Sequence, residues 1–241
     1  MLGHPRLHLR STDSTNDRAR ALAIAGAPHG TLVTASAQTA GRGRQGRRWS
    51  APPDSALLMS LVLRGSPLPA LLPLIAAVAV CDAVEPLGPG ERVMVKWPND
   101  IVLARPDKAE RTIAPAKLAG ILTEGRPQEG WAVLGIGLNV AVRVEDLPAE
   151  LYGTAATLGQ PPGAIEPTLM RLLAALTRWL DAPAEQMLAV YRTRDALRGR
   201  EIAWSSGRGR AAGIDGEGRL AVRLAGGGHT ALDAGEVHLR A

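Results

Sequence analysis

The sequence predicts an α+β fold, a mixed and largely antiparallel sheet with flanking helices, followed by a small β-barrel. Three observations predict it. Residues 92–97 and 101–104, split by Pro98, Asn99 and Asp100, read as a hairpin, and 117–124 with 131–140 reads as a second around Gly125 to Gly130. Helical spacing returns at 167–180, where Leu169, Leu172, Leu173, Leu176, Trp179 and Leu180 share one face. After Gly199, short alternating stretches at 201–204, 209–214, 219–224, 229–232 and 236–239 are separated by Gly-rich turns. The chain is therefore divided into a large domain, 1–197, and a small one, 198–241.

The other elements follow in order. Residues 6–10 alternate and suggest a short strand. Ser14 or Thr15 can cap a helix over about 15–25, with Asp17 in its first turn and Gly26 as its stop. Residues 31–36 and 55–63 read as strands, the second well buried. The segment 69–86 is an Ala/Leu/Val helix opened by proline and closed before Gly88, Pro89 and Gly90. Cys81 falls on it and reads as a buried, inert thiol. Residues 105–116 read as a polar hairpin tip, and 184–196 as a last helix.

Composition narrows the class. With 46% hydrophobic residues but no Phe in 241, the core must be built from Leu, Val, Ile and Ala. One cysteine excludes an intrachain disulfide framework. The absence of an unbroken apolar run of about 20 residues excludes a membrane helix, and no basic-then-apolar leader opens the chain. A cytoplasmic protein without a membrane partner is expected. The net charge of +5 favours anionic ligands without demanding nucleic acid.

Much of that charge is concentrated in one loop. Four arginines occupy the seven positions from Arg42 to Arg48, interleaved with glycines and closed by Trp49. Glycine costs about 1 kcal/mol and proline about 3 in a helix, and Pro52 and Pro53 follow almost at once, so no helix forms here. The segment reads as a mobile loop whose backbone and guanidinium groups suit phosphate or carboxylate. Residues 41–46 spell G-x-G-x-x-G, but a dinucleotide site needs a helix directly after it. A basic nucleic-acid-binding surface is the rival reading, and it predicts steep salt dependence.

Other polar residues stand where strands end. Lys117 opens an apolar strand and either snorkels to solvent or holds a charge near an anion. Asn99 and Asp100 form a turn, and Asn139 closes a strand. Ser14, Thr15 and Asn16 are a cap or a grip on a small polar ring, and Gln38 could grip likewise. Trp49 is a core residue or a stacking platform.

Together these residues resemble a known family. STN at 14–16, Q-x-x-GRGRxGRxW at 38–49, KWPND at 96–100, KLAGI at 117–121 and G-x-G-x-N at 135–139 are similar to the biotin protein ligases, the biotin–[acetyl-CoA-carboxylase] ligases. The resemblance is strong over about residues 10–140. It implies a catalytic domain related to class II aminoacyl-tRNA synthetases and lipoate ligases, and an SH3-like barrel. It implies ATP-dependent attachment of biotin to a lysine of a biotin carboxyl carrier protein through biotinyl-5'-AMP, with Mg²⁺ as the ion of ATP. Ser14, Thr15, Asn16, Gln38, Arg42, Gly43, Arg44 and Lys117 would contact biotin or its adenylate, with Arg42, Arg44 and Lys117 catalytic. Trp49, Asn99 and Asn139 would hold the nucleotide, and Asp100 would order Mg²⁺ through water or only shape its turn. Only about a dozen residues precede Ser14, so a form without the DNA-binding domain and without specific DNA binding is expected. A homodimer is compatible with the resemblance, and lipoate ligation is the nearest alternative. The segment before Lys117 is longer than the family pattern, and Lys117 rather than Lys108 is assigned by the KLAGI match.

Overall fold

The computed structural model describes residues 1–65, 69–88, 92–104, 115–233, 235 and 237–239. The expected hairpin tip, 105–116 with Lys108, lies almost wholly outside them.

Seven strands build the main sheet: β1 (Arg6–Leu9), β2 (Leu32–Ala35), β3 (Ala56–Arg64), β4 (Arg92–Lys96), β5 (Asp100–Ala104), β6 (Ala116–Arg126) and β7 (Trp131–Asn139). Their order is β1-β2-β3-β7-β6-β5-β4. Only β1 and β2 run parallel, and every other pair is antiparallel. The mixed, largely antiparallel sheet expected from the sequence is thus present.

Alternation sorts each central strand onto two faces. On β3, Leu57, Met59, Leu61 and Leu63 enter the main core, whereas Val62 joins a second cluster with Ala19, Ala23 and Val133. Helix α1 (Thr15–Ile24) lies over that second face. Helices α2 (Leu72–Val84), α3 (Ile165–Asp181) and α4 (Ala184–Thr193) cover the first. Nearly all of α2 is buried, as expected of a helix that is apolar all round. Cys81 is fully buried there, and burial pushes its thiol up to about 12.

Several boundaries differ from expectation. The helix expected from Pro167 starts two residues earlier, because proline is tolerated in a first turn. The helix expected to reach 196 ends at Thr193. Residues 194–196 instead lie along β4: Val95 donates its N–H to Arg194 O at 2.7 Å and accepts from Ala196 N–H at 2.9 Å. That pairing closes one margin of the sheet.

Five further strands form the small sheet: β8 (Glu201–Trp204), β9 (Gly207–Ile214), β10 (Leu220–Leu224), β11 (His229–Leu232) and β12 (His238–Leu239), ordered β11-β10-β9-β8-β12. Ile202, Leu220 and Val222 belong to the same core cluster as α2. Trp97 donates its buried indole N–H to Gly218 O at 3.0 Å, tying the turn between β9 and β10 to the end of β4. Among the described residues no helix is long and apolar enough to cross a membrane.

Candidate active site

The second face of the main sheet carries the site, and parity explains which residues reach it. On β7 that face presents Gly135, Gly137 and Asn139; on β3, Leu58 and Ser60; on β6, Gly120, Leu122 and Glu124. Lys117 would fall on the wrong face of a regular strand. A register shift opposite Ile101 and Val102 corrects this. Leu118 and Ala119 both enter the main core, so Lys117 and Gly120 share the site face. A bulge re-aims a side chain in this way.

Two cavities meet here. The narrow one, about 50 Å³, is lined by Ser14, Thr15, Asn16 and Gln38 together with Arg42, Gly43, Arg44 and Lys117. The wide one, about 400 Å³, is lined by Trp49, Asn99, Asp100 and Asn139, with Lys96, Arg47 and Arg48. Gly43, Arg44, Trp49, Asn99 and Lys117 belong to both. The structure therefore brings the candidate biotin- and nucleotide-site residues, with Asp100, into one place.

The arginine segment is not a shapeless loop. Arg42 and Arg48 pair as an antiparallel bridge, Gly43 N–H donates to Arg47 O at 2.7 Å, and Trp49 N–H donates to Gly41 O at 2.9 Å. Gln45 (φ 55°) and Gly46 (φ 75°) turn the chain at the tip through the left-handed region. The segment is a small hairpin, which propensity alone did not reveal.

Its cations are placed individually. Arg42 donates to Asp17 Oδ1 at 2.7 Å and to Glu124 Oε1 at 2.8 Å. Arg44 donates to Asn99 Oδ1 at 2.9 Å. Asn99 also donates to Ile121 O and accepts from Ile121 N–H, so the turn residue orients the arginine. Lys117 Nζ lies 2.7 Å from Asp100 Oδ1 and 5.8 Å from the Trp49 ring centroid. Burial pushes both Arg44 and Lys96 below the ordinary values of their types, with Asp100 opposing this in each case. Their positive charges are thus held at a cost that an anion would relieve.

Close approach explains the glycines of β7. A Cβ on Gly135 would overlap Asn16 Oδ1, and one on Gly137 would lie 2.6 Å from Trp49 Cε2. The indole therefore lies flat on the strand. Two buried polar atoms of the wide cavity's wall, Trp49 Nε1 and Asn139 Oδ1, have no hydrogen-bond partner. An unsatisfied buried group costs about 1–3 kcal/mol, a cost that a polar group brought by a ligand would relieve. Asn139 Nδ2 is spent on Ala156 O at 2.8 Å.

Two expectations change. Ser14 is the N-cap residue of α1 by backbone, yet its side chain makes no capping bond, which leaves its hydroxyl to the narrow pocket. Asn16 is not open to a ligand on all sides: its amide N–H groups point to Glu124 Oε2 at 2.9 Å and Leu122 O at 3.4 Å. Ser60, Glu124 and Asp17 were not among the sequence candidates. The signal for the first two was strand parity, which puts a lone serine and a lone glutamate on the face that carries the motifs.

The sequence matches the profile of the biotin/lipoate A/B protein ligase family over residues 8–140. The chain belongs to that family. The biotin–[acetyl-CoA-carboxylase] ligase of Mycobacterium tuberculosis is 35% identical over 249 residues, covering 95% of this chain and 87% of that protein. The bifunctional ligase/repressor BirA of Bacillus subtilis is 38% identical over 169 residues, covering 68% of this chain but 49% of that protein. The chain thus spans about half the length of the repressor-type relatives it matches. The biotin protein ligase of Aquifex aeolicus, solved in complex with biotin and ATP, superposes with a TM-score of 0.79 at 24% identity, covering 98% and 99% of the two chains. This biotin/lipoate ligase family member shares that fold, large sheet and small sheet together.

Proposed function

We propose that the chain joins biotin to a lysine of a biotin carboxyl carrier protein or domain, in two ATP-dependent steps. The observation that carries the reading is the junction between the cavities. A narrow pocket with a polar end opens into a wide cavity beside an aromatic platform, and Arg44 and Lys117 stand where the two meet. In the first step a carboxylate oxygen of biotin attacks the α-phosphorus of ATP. A C–O–P bond forms, the α–β phosphoanhydride breaks, and pyrophosphate leaves. In the second, the carrier lysine attacks the acyl carbon, an amide forms, AMP leaves, and the amine proton passes to solvent.

This chain's residues act by position and charge. Two anions must touch in the first step, and preorganised cations at their meeting point remove the repulsion. Ser14, Thr15, Asn16 and Gln38 face the ureido ring, whose N–H and C=O groups need both acceptors and donors. Trp49 Nε1 and Asn139 Oδ1 offer one donor and one acceptor to the adenine and ribose side. Among the described residues no group of three His, Cys, Asp or Glu side chains could cage a metal. Asp100, the one carboxylate among the described residues lining the wide cavity, suits Mg²⁺ that arrives on the phosphates, since that ion takes one or two protein carboxylates beside phosphate. Mg²⁺ would supply further charge neutralisation on ATP.

The named activity of the M. tuberculosis relative supports the reading, as does the pair of ligands in the Aquifex structure. Residues 1–197 carry the chemistry in this proposal, and 198–241 form the SH3-like domain. The buried unpaired cysteine and the need for ATP are consistent with the cytoplasm. Because Arg42 and Arg44 are turned onto protein partners, specific DNA binding by the loop is not expected. Lipoate lacks the ureido group and would leave the polar end of the narrow pocket unpaired, which selects against it. The test is exchange of labelled pyrophosphate into ATP. Exchange that depends on biotin, and not on lipoate, is expected; none with biotin and Mg²⁺ present would end the proposal.

A further inference from the structure

We propose that Glu124 is the positioning residue for the ureido end of the site, setting the direction of a hydrogen-bond chain beneath it and clamping Arg42 across its mouth. The inference rests on the biotin reading above. Four polar side chains form the chain. Ser60 Oγ lies 2.6 Å from Asn16 Oδ1 and 2.8 Å from Thr15 Oγ1, and Asn16 Nδ2 donates to Glu124 Oε2 at 2.9 Å. Ser60 and Asn16 are buried, at 0% and 4% exposure, so water does not substitute for a missing partner.

Proton counting gives this chain one direction. Glu124 lies within 3.2 Å of Arg42 Nη1 and 2.8 Å of Nη2, and an ionised carboxylate only accepts. It therefore fixes the Asn16 amide with its N–H₂ outward and its oxygen toward Ser60. An amide oxygen also only accepts, so the single Ser60 proton goes to Asn16. The contact between Ser60 and Thr15 then needs the Thr15 proton. Turning the Thr15 proton to Ser60 gives up its 3.1 Å bond to Gln38 Oε1, but Thr15 N–H still donates to that oxygen at 2.7 Å. The Thr15 oxygen is left as an acceptor, which is what a ureido N–H requires. Reverse the amide, and its oxygen would oppose the carboxylate, while Thr15 would be free to turn into a donor.

The same carboxylate holds the arginine hairpin. Arg42 is shared between Glu124 and Asp17, and only Glu124 also touches Asn16. One group thus couples the floor of the pocket to the segment that closes it.

The test is Glu124→Gln, which keeps the shape and one acceptor but removes the charge. Its partner variant, Asp17→Asn, loosens Arg42 without touching Asn16. Pyrophosphate exchange is measured against biotin and ATP separately. Glu124→Gln is expected to raise the KM for biotin by about tenfold or more, with the ATP KM and saturated rate little changed; Asp17→Asn is expected to do less. A merely structural role would move both KM values and lower the thermal midpoint. If Glu124→Gln is too unstable to assay, Ser60→Ala probes the chain from its buried end and is expected to raise the biotin KM in the same selective way. Wild-type exchange with an unchanged biotin KM in the assayed variant, or an equal loss for both substrates, overturns the proposal alone. No biotin-dependent exchange by the wild type overturns the functional reading and this proposal with it.

Discussion

Gly135 and Gly137 stand two residues apart on one strand, yet each leaves room for a different side chain. Alanine at 135 would push Asn16 out of line, and alanine at 137 would lift the Trp49 indole off the strand. The two variants should therefore separate the two substrates of the first step. Gly135→Ala is expected to raise the KM for biotin, and Gly137→Ala the KM for ATP, each by about tenfold. Steady-state exchange kinetics with either substrate varied will show the split, and matched losses in both variants would refute it. Arg44→Ala removes a cation from the junction and should lower the rate by about 10²–10³ while the fold persists, as circular dichroism and exchange rates will show. At this scale the sequence was legible wherever a residue type is odd for its place. Four arginines in a glycine run and a lysine at the head of an apolar strand announce themselves. Ser60 and Glu124 do not, because the second serine of SALLMSLVL and one glutamate near a strand's end are ordinary. Only the facing register of β3, β7 and β6 gives them meaning.

The arginine hairpin is the element on which access depends. Its backbone is held by a few bonds at its base and turned through positive φ at Gln45 and Gly46. Trypsin should cut between Arg42 and Arg48 in the free protein and much more slowly with biotin and ATP present; equal rates would argue against closure over the ligands. The connection after α4 makes a second prediction. Asp195 is buried, and desolvation raises its carboxyl above the ordinary value, opposed by the backbone N–H groups of Leu197 and Arg198. Because the folded value is raised, the folded state binds this proton more tightly. Stability from this group is therefore present at low pH and lost as pH climbs from the unfolded value near 3.8 through the higher folded one. Asp195→Asn should remove that decline, so its urea midpoint should gain on the wild type as pH rises above the unfolded value. A gain that does not grow with pH would count against the assignment. The sequence showed helix and strand centres well here. It did not show that 194–196 would abandon the helix, because the β4 backbone that attracts them lies about a hundred residues away. The bulge at Lys117 was hidden for the same reason.

At the scale of the whole molecule, the two sheets share one apolar core, and the Trp97 indole ties them. Trp97 precedes Pro98 and Asn99, whose turn orients Arg44, and its N–H is bonded to Gly218 of the small sheet. Trp97→Phe leaves that carbonyl without its donor inside the core. It should cost about 1–3 kcal/mol, seen as a fall of about 2–4 °C in Tm per kcal/mol for a chain of this size. An unchanged Tm would show that the contact is dispensable. The order of elements and the separate small sheet could be read from the sequence; the way they dock could not, since neither Trp97 nor Gly218 looks like one half of a contact.

The strap of residues 194–196 along β4 has a last consequence. Bare strand margins recruit other chains into ordered aggregates. With β4 covered, the exposed rim of the large sheet is β1, four residues long and bearing Arg6 and His8. A rim so short and so polar is a poor template for stacking. Heating that detaches the strap before the core melts would bare the Val95 N–H and C=O instead, a place where another chain's backbone could pair.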